Sequence, residues 1–241
     1  MIAIKTTDLI KKYKNKIAVN GLNVEIFEGE IFGLLGVNGA GKTTTIKMLS
    51  CLSDPTLGDA VLLGDSVITK PQSVKEKIGV SPQETAVARN LSVYENLVFT
   101  AQIYGFNKIK AQEKALQMIS IFGLEDKQKA KTKTLSGGTA RRLSIAMALI
   151  SEPKILFLDE PTLGLDVLAR RELWNEIKKL KGKITIILTT HYMEEAQSLC
   201  DRIGIMANGK LVDVGTTQEL ITKTSTENFE DAFIKIAGGV I

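Results

Sequence analysis

Short apolar runs closed by a glycine, a proline or a polar turn alternate along this chain with longer stretches whose apolar positions recur at helical spacing. "GEIFGLLG" (29–36) predicts a strand running into "VNGAGKTTTIKMLSCL", a glycine loop followed by a helix. "DPTLGD" (54–59) is a turn signal, and "AVLLG" after it predicts a short strand. "KIGVSPQ" (77–83) predicts a strand that closes on a loop at Pro82, because the residue before a proline is biased away from helix. Later, "ILFL" (155–158) and "ITIIL" (184–188) predict buried parallel strands, with helices expected over 167–181 and 193–200. "IGIMANGKLVDVG" (203–215) alternates on either side of Asn208–Gly209, the signature of a hairpin.

The stretch 88–150 breaks this β/α rhythm. Ser92 and Glu95 form an S-x-x-E capping box that opens one helix. Ala111, Ala115, Met118, Ile119 and Phe122 share the face of a second, with Gly123 as its stop. A third starts near Ser136, and Thr216 with Glu219 caps a peripheral helical tail over 216–241. The expected organisation is one α/β domain over 1–241. Its core spans 1–87 and 151–215, with an inserted helical subdomain over 88–150.

Composition removes several alternatives. Hydrophobic residues make up 44% and charged residues 24%, enough for an ordinary buried core. A net charge of +4 is too small for a nucleic-acid-binding face, and the basic runs "IKKYKNK" and "IKKLKGK" read as solvated surfaces. No run approaches the roughly 20 apolar residues of a bilayer span, so no membrane crossing is expected. Polar residues from Lys5 onward argue against a signal peptide. Cys51 and Cys200 lack metal-type spacing and are expected to be buried and reduced. Trp174, beside Leu173, Ile177 and Leu180 at helical spacing, is expected in the core.

Three stretches carry chemistry. "GVNGAGKTT" (36–44) satisfies G-x-x-x-x-G-K-[ST]. Its glycines let backbone N–H groups turn toward one point, Lys42 adds a cation, and the following helix adds the positive end of its dipole. Such a loop cradles the phosphates of a nucleoside triphosphate, with Thr43 placed to ligate Mg²⁺. In "ILFLDEP" (155–161) the adjacent carboxylates Asp159 and Glu160 must point in opposite directions at a strand end. One can face a metal while the other faces an attacking water, the two roles that phosphoryl transfer requires. "LSGGTARR" (135–142) offers a serine N-cap and two glycines at a helix start, a second anion-binding end.

The order of a P-loop, Gln83 after a strand, LSGG, a hydrophobic run ending in Asp-Glu, and His191 after the next strand resembles the ATP-binding cassette (ABC) ATPase subunit of membrane transporters. The resemblance covers nearly the whole chain. It implies a P-loop NTPase core of RecA type with an antiparallel β subdomain and the inserted helical subdomain. It further implies ATP and Mg²⁺ as ligands, and a head-to-tail dimer with itself or a related cassette. Each ATP would lie between one subunit's P-loop and the other's LSGG. Gly36, Asn38, Gly39, Ala40, Gly41, Lys42, Thr43 and Thr44 would hold the phosphates, and Tyr13 would stack on adenine. Thr43, Gln83 and Asp159 would serve Mg²⁺, Glu160 would polarise the attacking water, and His191 would contact the γ-phosphate. Ser136, Gly137 and Gly138 would clamp the γ-phosphate across the dimer, where Asp166 lines the interface. The helical insert would dock on separate transmembrane permease subunits, placing the chain at the cytoplasmic face of the membrane.

"HYMEEAQSLCDRIGIMANGKLVDVGTTQEL" and "NFEDAFIKIAG" resemble exporter cassettes of the daunorubicin-resistance and sodium-efflux groups. The chain departs from the family pattern at Thr139 and Ala140, where Gln or Met and then a basic residue are usual, at Met147, and at Leu163. Thr139–Ala140 keeps open an alternative: an importer-type or regulatory cassette that hydrolyses slowly or not at all. A soluble cassette acting on DNA or ribosomes would need long heptads or a second tandem cassette, and neither is present.

Overall fold

The computed structural model describes residues 1–238. It opens with strands β1 (Ile2–Tyr13), β2 (Lys16–Leu22), β3 (Glu25–Phe27) and β4 (Ile31–Leu35), then helix α1 (Lys42–Leu49). Next come β5 (Leu57–Leu62), β6 (Asp65–Ser66), α2 (Pro71–Lys77) and β7 (Ile78–Ser81). Helices α3 (Val93–Ile103), α4 (Lys108–Ile121) and α5 (Gly137–Leu149) interrupt the alternation. It resumes as β8 (Ile155–Asp159), α6 (Val167–Lys178), β9 (Thr185–Thr190), α7 (Met193–Leu199), β10 (Arg202–Ala207) and β11 (Lys210–Gly215). Helices α8 (Thr217–Thr224) and α9 (Phe229–Gly238) follow.

Two sheets result. An antiparallel one runs β2-β1-β5-β6 with β3 added to β1, and a six-stranded one runs β11-β10-β4-β9-β8-β7. In the second sheet every pairing is parallel except the β10–β11 hairpin. The strand period of two sends neighbouring residues of the parallel strands into different cores. Ile155, Phe157 and Ile187 join a core shared with α1, α2 and the antiparallel sheet. Leu156, Leu158, Ile186 and Leu188 join the core under α3, α4, α5 and α6. Both faces are therefore covered, which is why these strands read as unbroken apolar runs.

The expected elements form, with shifts at their ends. The turn expected over 54–59 is shorter, because β5 already begins at Leu57 to pair with Ile10 of β1. Helix α6 stops at Lys178, three residues before the expected end. The Ser92–Glu95 and Thr216–Glu219 capping boxes form reciprocally. Asn208 and Gly209 take the left-handed conformations that a type I′ hairpin turn requires. The helical tail is more firmly held than a peripheral appendage, since Leu220 and Phe229 are fully buried against Ile203 and Ile205 of β10. The last residues of that expected tail, 239–241, lie outside the described residues. No helix among the described residues is long and apolar enough to cross a membrane.

Both cysteines are free thiols, half-buried where full burial was expected. Cys200 explains the glycine in the middle of β4: a Cβ added at Gly33 would lie 2.5 Å from the Cys200 sulfur. Trp174 is buried as expected, and its indole Nε1 donates to Glu195 Oε1 at 3.0 Å. Glu195 is fully buried on α7. Burial pushes its carboxyl above the ordinary value, against the opposing pull of Thr190, Trp174 and Thr162, and the nearby Glu160 charge adds to the rise.

Two outcomes follow from this packing. Gly33→Ala is expected to destabilise the fold by about 1–3 kcal/mol through overpacking. Adding Cys200→Ala is expected to recover much of that loss, which denaturant melts of the single and double variants measure. Glu195 binds its proton more tightly folded than unfolded, so its contribution is intact below the ordinary carboxylate pKa. It is lost as pH rises from there through the folded value, because the unfolded chain ionises first. Glu195→Gln keeps an acceptor for Trp174 and removes this titration. The stability of the variant relative to the wild type is therefore expected to grow with pH across that window; a pH-independent difference in urea melts would contradict it.

Candidate functional site

Strands β4, β8 and β9 are adjacent and parallel, so their carboxyl ends open on one side of the sheet. Ligands of open parallel sheets bind at that edge. The glycine loop leaves β4 there and enters α1 through Gly41, which caps the helix with φ +105°. A Cβ at Gly41 would also sit 2.5 Å from the Ala18 carbonyl oxygen, so only glycine closes this turn. Lys42 folds back over the loop. Its buried Nζ donates to the carbonyls of Gly36 at 2.7 Å and Val37 at 3.3 Å. It also pairs with Glu160 Oε1 at 3.3 Å.

The two carboxylates at the end of β8 have separate surroundings. Asp159 Oδ1 accepts from the hydroxyl of Thr43 at 3.0 Å and from that of Thr189 at 2.6 Å. Glu160 adopts φ +47°, an uncommon left-handed conformation for a non-glycine residue. That twist swings its carboxylate away from Asp159, to Lys42 on Oε1 and to His191 Nδ1 on Oε2 at 2.8 Å. Asp159 and Glu160 are only 4% and 5% exposed, so each negative charge depends on these donors for its solvation. The Thr189 hydroxyl serves both residues, donating to Asp159 while accepting the Glu160 backbone N–H at 3.0 Å.

One cavity of about 480 Å³ collects Tyr13, Asn38, Gly39, Ala40, Gly41, Lys42, Thr43, Thr44, Gln83, Glu160 and His191, together with Lys16, Ala18 and Leu163. Gly36 meets it through its carbonyl on Lys42, and Asp159 through its bond to Thr43. Tyr13 ends β1 half-exposed, with Lys11 Nζ 5.1 Å above its ring. The remaining expected residues lie elsewhere. Ser136, Gly138 and Asp166 line a separate depression with Thr139 and Arg142, and Gly137 adjoins it as the first residue of α5. Ser136 caps α5 by accepting from the Thr139 backbone N–H, and the hydroxyls of Ser136 and Thr139 share a 2.9 Å bond. Asp166 caps α6 by accepting from Ala169 N–H at 2.9 Å.

Besides Lys16 and Ala18 on the cavity wall, two residues that hold the site together were not anticipated. Thr189 is one; its place immediately before Thr190 and His191 at a strand end was the available signal. Arg141 is the other; in "LSGGTARR" it reads as an ordinary helical arginine. It is 3% exposed, and its guanidinium donates to the carbonyls of Pro82 and Gln83, each at 2.6 Å, and of Glu160 at 3.2 Å. Burial lowers its affinity for the proton, and the charges of Asp159 and Glu195 act the other way.

A divalent cation is tested by its donors. Among the described residues no group of three His, Cys, Asp or Glu side chains could hold a metal by themselves. Thr43 and Asp159 present hard oxygen atoms side by side at the cavity, with Gln83 on its wall. That sparse oxygen set fits Mg²⁺, which keeps several waters and takes further ligands from substrate phosphates.

The profile of the ABC transporter family matches residues 19–163. The chain is 42% identical over 219 residues to the daunorubicin/doxorubicin resistance ATP-binding protein DrrA of Streptomyces peucetius, covering 90% of this chain and 66% of that protein. It is 38% identical over 221 residues to the linearmycin resistance ATP-binding protein LnrL of Bacillus subtilis, covering 91% and 71%. The human phospholipid-transporting ATPase ABCA3 is 45% identical over 204 residues, which are 85% of this chain and 12% of that protein. Among solved structures, an ATP-binding subunit of an ABC transporter superposes with a TM-score of 0.86 at 26% identity, covering 98% of this chain and 99% of its own. The cassette MJ0796, in a dimeric post-hydrolysis state bound to ADP and Pi, superposes at 0.80 with 25% identity, covering 88% and 98%. The matched profile over more than half of the chain, with the loop, strand ends and capped α5 in the expected places, shows that this chain belongs to the ABC transporter family.

Proposed function

We propose that this chain is the ATP-hydrolysing subunit of an exporter, driving transport through separate transmembrane partners from the cytoplasmic face of the membrane. The observation that carries the reading is the meeting of Lys42, the Thr43–Asp159 pair and the Glu160–His191 pair at one cavity beside the P-loop. Backbone N–H groups of 36–44 and the Lys42 ammonium bind the phosphates, which compete with Glu160 for that ammonium. Tyr13 supplies an aromatic face at the cavity rim for adenine. Thr43, Asp159 and Gln83 hold Mg²⁺, which supplies charge neutralisation on the phosphate oxygens when bound. Glu160 orients the attacking water and draws on its proton. His191 anchors the Glu160 carboxylate through Nδ1, leaving Nε2 for the γ-phosphate.

Ser136, Gly137 and Gly138 do not line the P-loop cavity of their own chain. That separation supports the head-to-tail dimer, in which each signature serves the partner's nucleotide. The resistance roles for which DrrA and LnrL are named support the export direction. Within this reading 88–150 is the signature-bearing helical unit, set in a core of 1–87 and 151–215 with the tail after it.

Glu160→Gln is the decisive variant. It is expected to bind ATP normally, lose about 100-fold or more of its hydrolysis rate, and accumulate an ATP-dependent dimer. Phosphate-release assays and size-exclusion chromatography with and without ATP read these outcomes. A monomeric Glu160→Gln protein hydrolysing at the wild-type rate would overturn the proposal.

A further inference from the structure

Arg141 sits five residues beyond Ser136 on the same helix, yet its side chain leaves the signature face altogether. It crosses to the two strand ends that α5 packs upon. There Nη1 donates to Pro82 O and Nη2 to Gln83 O, each at 2.6 Å, and Nη2 also reaches Glu160 O at 3.2 Å. A planar fork with fixed donor directions can span carbonyls from two separate loops; a lysine ammonium on a flexible stem cannot reproduce that spacing. The helix beneath is seated firmly. Ser144 Oγ bonds Ser81 Oγ at 3.0 Å inside the protein, and a Cβ on Gly79 would lie 2.2 Å from the Ala148 carbonyl oxygen.

Glu160 needs such a hold, because its backbone is in the left-handed region. Its N–H is fixed from one side by the carbonyl and hydroxyl of Thr189. Its carbonyl is fixed from the other by Arg141 and by the Leu163 N–H at 3.2 Å. Leu163 belongs to the same turn as Glu160, so Arg141 is what connects that turn to α5. The rigid path runs from the Ser136 cap, along α5, through one guanidinium, to the backbones of both Gln83 and Glu160.

We infer that Arg141 is a positioning residue through which the seating of the signature helix sets the orientation of Glu160 and Gln83, so that it controls the hydrolytic step and not nucleotide binding. This rests on the ATPase reading above. It predicts that displacing α5 at its signature end, as a partner's nucleotide would, is felt at this chain's own hydrolytic residues.

The test uses the full chain as Arg141→Lys and Arg141→Ala beside wild type and Glu160→Gln. Rates are taken per folded site, and ATP affinity is measured separately by equilibrium binding. Arg141→Lys is expected to lose about tenfold in kcat with ATP affinity within about twofold of wild type. Arg141→Ala is expected to lose more, and to regain part of it with tens of millimolar guanidinium chloride but not with equal sodium chloride. If Arg141→Ala does not fold, the Lys variant carries the test through its split between kcat and affinity. Wild-type kcat in Arg141→Lys would overturn the inference. So would a proportional loss of rate and binding with no response to guanidinium, the signature of a merely structural residue. A wild-type chain without ATPase activity, or an active Glu160→Gln, would instead remove the proposed function, and this inference with it.

Discussion

Two carboxylates on consecutive residues, both out of solvent, are the constraint around which the carboxyl edge of this sheet is organised. Charges of like sign at such separation are tolerated only if each has its own donors and if the two are turned apart. The chain meets both conditions with the backbone. Asp159 stays in strand geometry and takes two hydroxyls, whereas Glu160 leaves the strand through a left-handed turn and takes a lysine and a histidine. The strain of that turn is offset by ties on both sides of the Glu160 peptide. The β9 end and α5 supply those ties and the P-loop lysine holds the carboxylate, so all three converge on one residue.

The two-faced sheet supplies the rigidity that this requires. Alternate residues of β8 and β9 enter opposite cores, so neither strand can slide by one residue without exchanging its entire apolar set. Thr189 and Asp159 are register partners across β8 and β9, which places the Thr189 hydroxyl beside the carboxylate as a consequence of pairing alone. The bond that Asp159 accepts from Thr189 is therefore set by strand register before any ligand chemistry is considered, while Thr43 reaches the same oxygen from the first turn of α1.

Much of this was legible in the sequence because it lies in periodicity and punctuation. Buried parallel strands read as apolar runs, the Ser92, Ser136 and Thr216 caps announced their helices, and Asn208–Gly209 announced its hairpin. The spacing of the P-loop and the Asp-Glu pair located the cavity. What stayed hidden depends on three-dimensional neighbours. Arg141 looks like any helical arginine until α5 is laid across β7. Glu195 looks like a solvated residue of "YMEEAQ" until Trp174 covers it. Gly33 looks like a weakness in a strand until the Cys200 sulfur is found against it. Chain-local signals cannot report a partner that folding brings in from another element of the chain.

The separation of the signature from the P-loop cavity has a genetic corollary in the proposed head-to-tail pair. A subunit with a ruined Glu160 still offers a sound α5 to its mate, and a subunit with a ruined signature still offers a sound cavity. Lesions then segregate by nucleotide and not by polypeptide. Two different defective alleles assembled together rebuild one intact composite site when both lesions fall in the other site, and destroy both when they do not. Complementation between mutant copies would thus map the assembly without any view of it.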